Sequence, residues 1–214
     1  MSLSYSIGWI ASRAMFRFYF GMRVADADRV PLQGPVILAS NHASFLDPLL
    51  VGAALHRELH YLARETLFQN PMVAAVLRSW NTVPVDRDGG GAAGLRAILD
   101  RLLAGAGIIL FPEGTRTSDG NLKPARAGIG LAVIKSACPV VPVRVFGTFE
   151  AFGRHARFPR PKRVVVRFGA PLMFSDLRTE AEVSAKPRLK AIYQEVADEL
   201  MAAIAALENP DRQG

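Results

Sequence analysis

Apolar positions along the chain form short runs separated by amphipathic stretches, and this pattern predicts strands that alternate with helices. The short runs predict strands at residues 36–40, 61–63, 82–85, 108–111, 140–145 and 164–168. Helices are predicted at residues 47–55, 71–80, 128–137 and 187–207. One more helix is predicted where apolar residues recur at helical spacing, at Leu95, Ile98, Leu99, Leu102 and Leu103. This order indicates an α/β fold: a single domain with a mostly parallel central sheet flanked by helices.

The first 24 residues are rich in apolar and aromatic side chains, but Arg13, Arg17 and Arg23 interrupt them. A secretory signal would place its charges before the apolar stretch and end in a small-residue cleavage site, so no cleaved signal peptide is expected. The chain also lacks an uninterrupted apolar run of the length that a conventional transmembrane helix needs. Two interpretations stay open: a helix lying in a membrane interface, or a helix packed on the domain's own core.

The length of 214 residues suits one sizeable α/β domain. We expect residues 1–28 to form an N-terminal helical segment. Residues 29–209 are expected to form the α/β domain, and residues 210–214 a disordered tail.

The net charge of +7 is carried mainly by arginine, because only five of the 26 basic residues are lysines. The planar guanidinium suits phosphate oxygens, whether in nucleic acid, lipid headgroups or a phosphorylated substrate. The single cysteine, Cys138, lies in an apolar stretch and excludes an internal disulfide; a buried structural thiol is the favoured interpretation.

The first group of chemically capable residues, NHASFLD, directly follows the strand predicted at 36–40. In parallel α/β folds, functional loops lie at the carboxyl ends of strands. A histidine such as His42 can act as a general base, and Asp47, five residues later, is close enough to hold its other ring nitrogen. A deprotonated acceptor hydroxyl could then attack without a serine or cysteine nucleophile. Alternatively, Asp47 before Pro48 is simply an N-cap.

The second group, FPEGTR, follows the strand at 108–111. Gly114 permits an unusual backbone angle, Arg116 offers a bidentate phosphate contact, and Glu113 could bind a substrate hydroxyl or hold Arg116. VPVDRD places Arg87 at another strand end, whereas VVPV is apolar and predicts a buried strand.

These four blocks, NHxSxxD, VDRD, FPEGTR and VVPV, occur in this order from about Arg29 to Phe168. Together they resemble the glycerolipid acyltransferases typified by 1-acylglycerol-3-phosphate acyltransferases. The resemblance implies that His42 is the catalytic base and Asp47 its partner. It also implies an acceptor-phosphate site, made of Arg87, Glu113, Gly114, Thr115, Arg116 and Arg126. Arg126 stands where many relatives have a lysine, so its phosphate contact would have a different geometry.

The resemblance further implies acyl transfer from acyl-CoA or acyl carrier protein to lysophosphatidic acid, with no cofactor and no metal. Glycerol-3-phosphate, lyso-aminolipids and other lysophospholipids remain alternative acceptors. The resemblance also implies that residues 1–28 form a membrane-associating helical segment. The expected location is the cytoplasmic face of the cell membrane, as a peripheral or monotopic protein on an anionic lipid surface.

Two rival functions remain. His56 and His60 stand four residues apart in HRELH, but a zincin requires HExxH, so metal binding is disfavoured. The second rival is a non-enzymatic protein that binds lipid or nucleic acid through a basic stretch, which contains Arg154, His155, Arg157, Arg160, Lys162 and Arg163. This stretch matches no common nucleic-acid-binding motif, so nucleic acid is not an expected partner.

Overall fold

The computed structural model describes residues 2–85 and 92–212 of the chain. Its strands are β1 (Arg23–Ala25), β2 (Val36–Ser40), β3 (Leu59–Arg64), β4 (Thr82–Val85), β5 (Gly107–Leu110), β6 (Val140–Phe146) and β7 (Val165–Phe168). Its α-helices are α1 (Leu3–Phe18), α2 (Asp47–Ala54), α3 (Pro71–Ser79), α4 (Ala92–Leu103), α5 (Ala127–Ser136), α6 (Thr148–Phe152), α7 (Ser175–Val183) and α8 (Lys186–Ala206).

Within these residues the strands form one sheet in the order β1-β7-β6-β2-β5-β3-β4. Every neighbouring pair is parallel except β6 and β7, which are antiparallel. The predicted mostly parallel α/β sheet is therefore confirmed. The central strand β2 pairs with β5 on one side and β6 on the other, so its carboxyl end lies in the middle of one sheet edge.

Both faces of the sheet are covered, and this explains why β2 is buried at all five positions. Val36 and Leu38 pack in one apolar cluster that includes residues of α1 and α2. Ile37 and Ala39 pack in a second cluster with residues of α4, α5 and α8. Because successive side chains of a strand point to opposite faces, a continuous apolar run is what a strand in this position needs.

The N-terminal segment is more than one helix. Residues Arg23–Ala25 form β1, which pairs with β7 at the edge of the sheet. The prediction of a disordered tail is wrong for residues 210–212. Pro210–Arg212 forms a 3-10 turn, and Asp211 makes ion pairs with Arg23 and Arg163, which hold this part of the chain against the sheet edge.

Helix α1 packs one face on the domain's own core, as one of the two interpretations predicted, and leaves the opposite face exposed. One face packs on the domain: Tyr5, Gly8 and Phe16 are buried, and α1 contacts α2. The opposite face is apolar and exposed, at Leu3, Ile7, Ile10, Ala14 and Phe18. No helix in the described part of the chain is both long and apolar enough to cross a membrane.

Candidate active site

The loop after β2 is anchored to β6 by Asn41. The Asn41 side chain donates to the carbonyl of Val145 at 3.2 Å and accepts from its amide at 2.8 Å, as a neighbouring strand would. Ser44 provides a second anchor, because its hydroxyl donates to the carbonyl of Phe152 at 2.6 Å and accepts from the Leu46 amide at 3.0 Å. The loop is thus tied to the sheet and to α6, and the residues between these anchors have a defined position.

His42 and Asp47 meet as predicted. The Nδ1 atom of His42 lies 2.9 Å from Oδ2 of Asp47. The Asp47 side chain is fully buried, whereas that of His42 is 13% exposed. With Nδ1 held by the carboxylate, Nε2 is the ring nitrogen left for a substrate, and it has no hydrogen-bond partner among the described residues.

Asp47 does more than hold the imidazole. The same oxygen, Oδ2, accepts the backbone amides of Ala43 and Ser44, each at 2.7 Å. Asp47 is the first residue of α2, and no side-chain capping bond is made at the start of that helix. The alternative of a simple N-cap is therefore wrong: the carboxylate turns back onto the His42 loop instead of binding the amides of its own helix.

The loop after β5 packs directly on His42. The ring of Phe111 stacks on the imidazole, with centroids 3.9 Å apart and planes inclined by 19°. The backbone amide of His42 donates to Oε1 of Glu113 at 3.0 Å, and the amide of Thr117 donates to the His42 carbonyl at 2.8 Å. The two sequence blocks thus form one structure, in which His42 is held by its ring, its amide and its carbonyl.

Glu113 faces inward. Its side chain is buried, and burial raises the pKa of the carboxyl above its ordinary range. A buried carboxylate that accepts the His42 amide fits a residue that positions the base, and a carboxylate has no attraction for a phosphate. Its predicted role in phosphate binding stays a prediction.

Arg116 belongs to the same loop and is half-buried. Its guanidinium carbon is 3.3 Å from the ring centroid of Phe45, a close cation–π stack. Phe45 is half exposed and in turn contacts Phe152, with ring centroids 5.5 Å apart. Since Phe45 belongs to the His42 loop, this stack places a planar cation next to the candidate base.

Gly114 and Arg126 are neighbours. Gly114 has a φ of 68°, and a Cβ placed on it would lie 3.0 Å from Cδ of Arg126. The exposed Arg126 side chain therefore lies over the glycine, and its amide donates to the carbonyl of Pro112 at 3.0 Å. The geometry brings His42, Glu113 and the cations of Arg116 and Arg126 to one sheet edge.

Comparison with known proteins identifies the family of this chain. A family model described as "Acyltransferase" matches residues 21–146, more than half of the chain. The chain belongs to this acyltransferase family. It is 28% identical over 175 residues to the 1-acyl-sn-glycerol-3-phosphate acyltransferase of Bacillus subtilis, a match that covers 81% of this chain and 83% of that protein.

Other relatives agree with this result. The human 1-acyl-sn-glycerol-3-phosphate acyltransferase beta is 29% identical over 68% of this chain, which spans 53% of the human protein. The crystal structure of the 1-acyl-sn-glycerophosphate acyltransferase of Thermotoga maritima superposes with a TM-score of 0.74, at 22% identity, over 96% of this chain and 81% of that one. The latter likeness supports the fold of the acyltransferase.

The remaining predicted residues of the acyltransferase have different outcomes. Arg87 lies outside the described residues. Thr115 is half-buried between Gly114 and Arg116. His56 and His60 do not share a helix, because His56 precedes β3 and stacks near Trp9, with ring centroids 5.1 Å apart, and His60 lies within β3. Cys138 is buried, and burial raises the pKa of its thiol, as expected for a structural cysteine.

Four residues of the acyltransferase site were missed by sequence reasoning: Asn41, Ser44, Phe45 and Phe111. All four lie within the quoted motifs, so their proximity to His42 could be expected. Their contacts could not, because each depends on a partner in another element: Asn41 on β6, Ser44 and Phe45 on α6 and Arg116, and Phe111 on the imidazole.

Proposed function

We propose that this acyltransferase moves a fatty acyl group from acyl-CoA or acyl carrier protein to the free hydroxyl of 1-acylglycerol-3-phosphate and forms phosphatidic acid for phospholipid synthesis. The observation that carries the proposal is the His42–Asp47 pair, whose Nδ1–Oδ2 contact leaves Nε2 as the only ring nitrogen free to accept a proton. The names of the relatives support lysophosphatidic acid as the acceptor.

In the proposed step, Nε2 of His42 takes the proton of the acceptor hydroxyl while that oxygen attacks the thioester carbonyl. A carbon–oxygen bond forms, the carbon–sulfur bond breaks, and the imidazolium returns the proton to the leaving thiolate. Asp47 stabilises the imidazolium and keeps the ring oriented. A positioned base of this kind contributes about 10²–10⁴-fold to the rate. All bonds and protons of this step are accounted for without a cofactor or a metal.

Arg116 and Arg126 are proposed to bind the phosphate of the acceptor, together with Arg87. The stack on Phe45 holds the plane of Arg116, so that its paired N–H groups can meet two phosphate oxygens at once. Fixing the phosphate brings the hydroxyl within reach of His42, which lowers the entropic cost of the reaction.

We also propose that the acyltransferase works at the cytoplasmic face of the membrane, as a peripheral or monotopic protein with anionic lipid rather than nucleic acid as its surface partner. The exposed apolar face of α1, with Leu3 79% and Phe18 87% exposed, supports this, because a row of large apolar side chains on a surface helix suits a lipid interface.

The test compares His42→Ala with His155→Ala, which removes an exposed histidine outside the site. Transfer is measured with lysophosphatidic acid, glycerol-3-phosphate and a lyso-aminolipid, each with acyl-CoA and acyl carrier protein as donor. We expect His42→Ala to reduce turnover by about 10³-fold or more, and Asp47→Asn by a similar order, because the amide cannot stabilise the imidazolium. His155→Ala should be unaffected. Near-normal turnover of His42→Ala would refute the mechanism. Faster transfer to another acceptor would identify that acceptor, and not lysophosphatidic acid, as the substrate.

A further inference from the structure

A groove of about 910 Å³ lies between the second half of α1 and the edge strand β1, away from the His42 loop. One side is apolar, with Trp9, Ile10 and Phe18 of α1. β1 is separated from β2 by β7 and β6 in the sheet. At about 4.8 Å per strand, the groove is roughly 14 Å from the strand that carries His42.

Four arginines line the same groove: Arg13, Arg17, Arg23 and Arg163. Arg13 donates to the carbonyl of Ala53 at 2.7 Å, which turns it toward the protein. Arg17 is exposed and has no ion-pair partner in the described part of the chain. The groove therefore combines an apolar wall with a surplus of positive charge, a lining that suits an amphiphile with an anionic head.

Two of these arginines already bind an anion of the protein itself. Asp211, from the turn after α8, makes ion pairs with both Arg23 and Arg163, and its side chain is only 17% exposed. Arg23 and Arg163 thus converge on one carboxylate. A phosphate would use the same convergence and would in addition be within the field of Arg17.

Further basic side chains extend from the groove along the basic loop, residues 154–163. Tyr19, directly after α1, donates to the carbonyl of Pro159 in this loop at 3.2 Å. No acidic residue occurs in the sequence between Glu150 and Asp176. The exposed apolar row of α1, the groove and the basic loop therefore form one continuous surface, and this continuity favours a lipid over a soluble phosphate.

We propose that the groove binds the headgroup phosphate of an anionic membrane phospholipid, with Arg17, Arg23 and Arg163 on the phosphate and Ile10 and Phe18 along the acyl chain. Asp211 competes for the same arginines, so the tail weakens the site. The proposal rests on the membrane docking proposed above and not on acyl transfer, since the groove is separate from His42.

The experiment measures binding of the full chain to phosphatidylcholine vesicles with and without phosphatidylglycerol, at constant ionic strength. In a Trp80→Phe background, Trp9 in the groove reports lipid contact through quenching by brominated acyl chains. The test variant is Arg17→Gln with Arg163→Gln. Its matched control, Arg154→Gln with Arg157→Gln, removes two exposed arginines of the basic loop and the same charge. We expect the Arg17→Gln, Arg163→Gln variant to lose about tenfold more affinity for anionic vesicles than the control variant. The reason is that direct hydrogen bonds to a phosphate are stronger than the long-range attraction of a charge to the membrane surface.

A second variant tests the groove through a gain of binding instead of a loss. Asp211→Asn should tighten binding to the anionic vesicles about threefold, because it frees two arginines. Glu199→Gln, which removes an exposed carboxylate in the middle of α8, should have no effect. Thermal unfolding followed by circular dichroism shows that each variant is folded.

Equal losses in the two arginine pairs, together with no effect of Asp211→Asn, would overturn the groove site and leave the membrane docking intact. Displacement of the protein from vesicles by inorganic phosphate would overturn the choice of a lipid. Absence of binding to any vesicle by the unmodified chain would overturn the membrane docking and the groove together, whereas acyl transfer to dispersed acceptor would be unaffected.

Discussion

At the residue scale, a single oxygen organises the catalytic loop. Oδ2 of Asp47 accepts from the imidazole of His42 and from the amides of Ala43 and Ser44. The five-residue spacing made the pairing of His42 with Asp47 predictable. The two amide contacts were not, because they require the loop to curl around the carboxylate, and no propensity of the individual residues describes that turn. A side-chain oxygen that accepts from three donors both fixes the ring and keeps the loop closed.

The stack between Phe45 and Arg116 gives a test of substrate positioning. Phe45→Leu keeps an apolar side chain but removes the ring beneath the guanidinium. A cation–π contact is worth about 0.5–2 kcal/mol. We therefore expect KM for the phosphorylated acceptor to rise by about two- to thirtyfold, with kcat nearly unchanged, and we expect Phe45→Tyr to retain the KM of the parent.

Phe158→Leu is the control, since Phe158 is 77% exposed and has no ring or cation partner in the described part of the chain. A fall in kcat with an unchanged KM would show that Phe45 acts on the reacting groups and not on the phosphate.

Glu113 predicts a pH dependence of stability. Burial raises the pKa of this carboxyl above its ordinary value of 4.5, so the folded chain holds this proton more tightly than the unfolded chain. The free energy of unfolding should therefore fall as the pH rises from the ordinary value through the raised one. Glu113→Gln retains an oxygen for the His42 amide and abolishes this dependence.

Urea unfolding of both proteins between pH 4 and pH 7 measures the difference. The Glu113→Gln variant should gain stability relative to the parent as the pH rises above about 4.5 and then level off. Parallel profiles over the whole range would mean that the Glu113 carboxyl titrates alike in the folded and unfolded chains.

At the element scale, the sequence predicted the elements whose apolar pattern is strong. The strands at Val36–Ser40 and Thr82–Val85 and the helix at Lys186–Ala206 lie within one residue of their predicted bounds. Helix α7 was missed because none of its residues is fully buried and only Leu177 and Ala181 pack against the core, too few to give a clear apolar period. Strand β1 was missed because three residues, beginning with Arg23, cannot show alternation, and their pairing depends on a distant strand.

Helices α5 and α8 approach so closely that a glycine is required between them. A Cβ on Gly130 of α5 would lie 1.9 Å from the backbone carbonyl oxygen of Tyr193 in α8. Because neither backbone can move without disturbing the core, Gly130→Ala should lower the free energy of unfolding by about 1–3 kcal/mol. Gly128→Ala, on the same helix, has no atom within 4 Å of the new Cβ and should raise it by about 0.5–1 kcal/mol.

Thermal and chemical unfolding of the two variants distinguish packing from helix propensity, because both substitutions are the same change in one helix. Similar effects of the same sign would contradict the close approach.

At the scale of the whole molecule, the candidate active site and the proposed docking surface lie on different parts of one α/β domain. The carboxyl ends of β2 and β5 carry the His42 and Glu113 loops, whereas α1 packs its buried face on α2 and turns its apolar face outward. The sequence predicted the catalytic edge, because functional loops follow parallel strands. It could not decide between core and membrane for α1, because this helix has apolar residues on two faces, one buried and one exposed, and lacks the clean division that a helical projection looks for.

Two leucines test whether the outward face of α1 contacts lipid or is only exposed. Leu3 on α1 is 79% exposed and Leu103 on α4 is 84% exposed, and their helices lie on opposite faces of the sheet. Neither leucine is buried, so serine at either position should leave the free energy of unfolding within about 0.5 kcal/mol of the parent. Insertion of a leucine side chain into the acyl boundary is worth about 1.5–3 kcal/mol. Leu3→Ser should therefore weaken binding to neutral phosphatidylcholine vesicles by about tenfold or more, and Leu103→Ser should not change it.

Vesicle flotation measures the binding of both variants, and neutral lipid separates this apolar contact from the attraction of the arginines. Equal behaviour of the two variants would assign the exposed face of α1 no part in docking and would leave charge as the only attraction to the membrane.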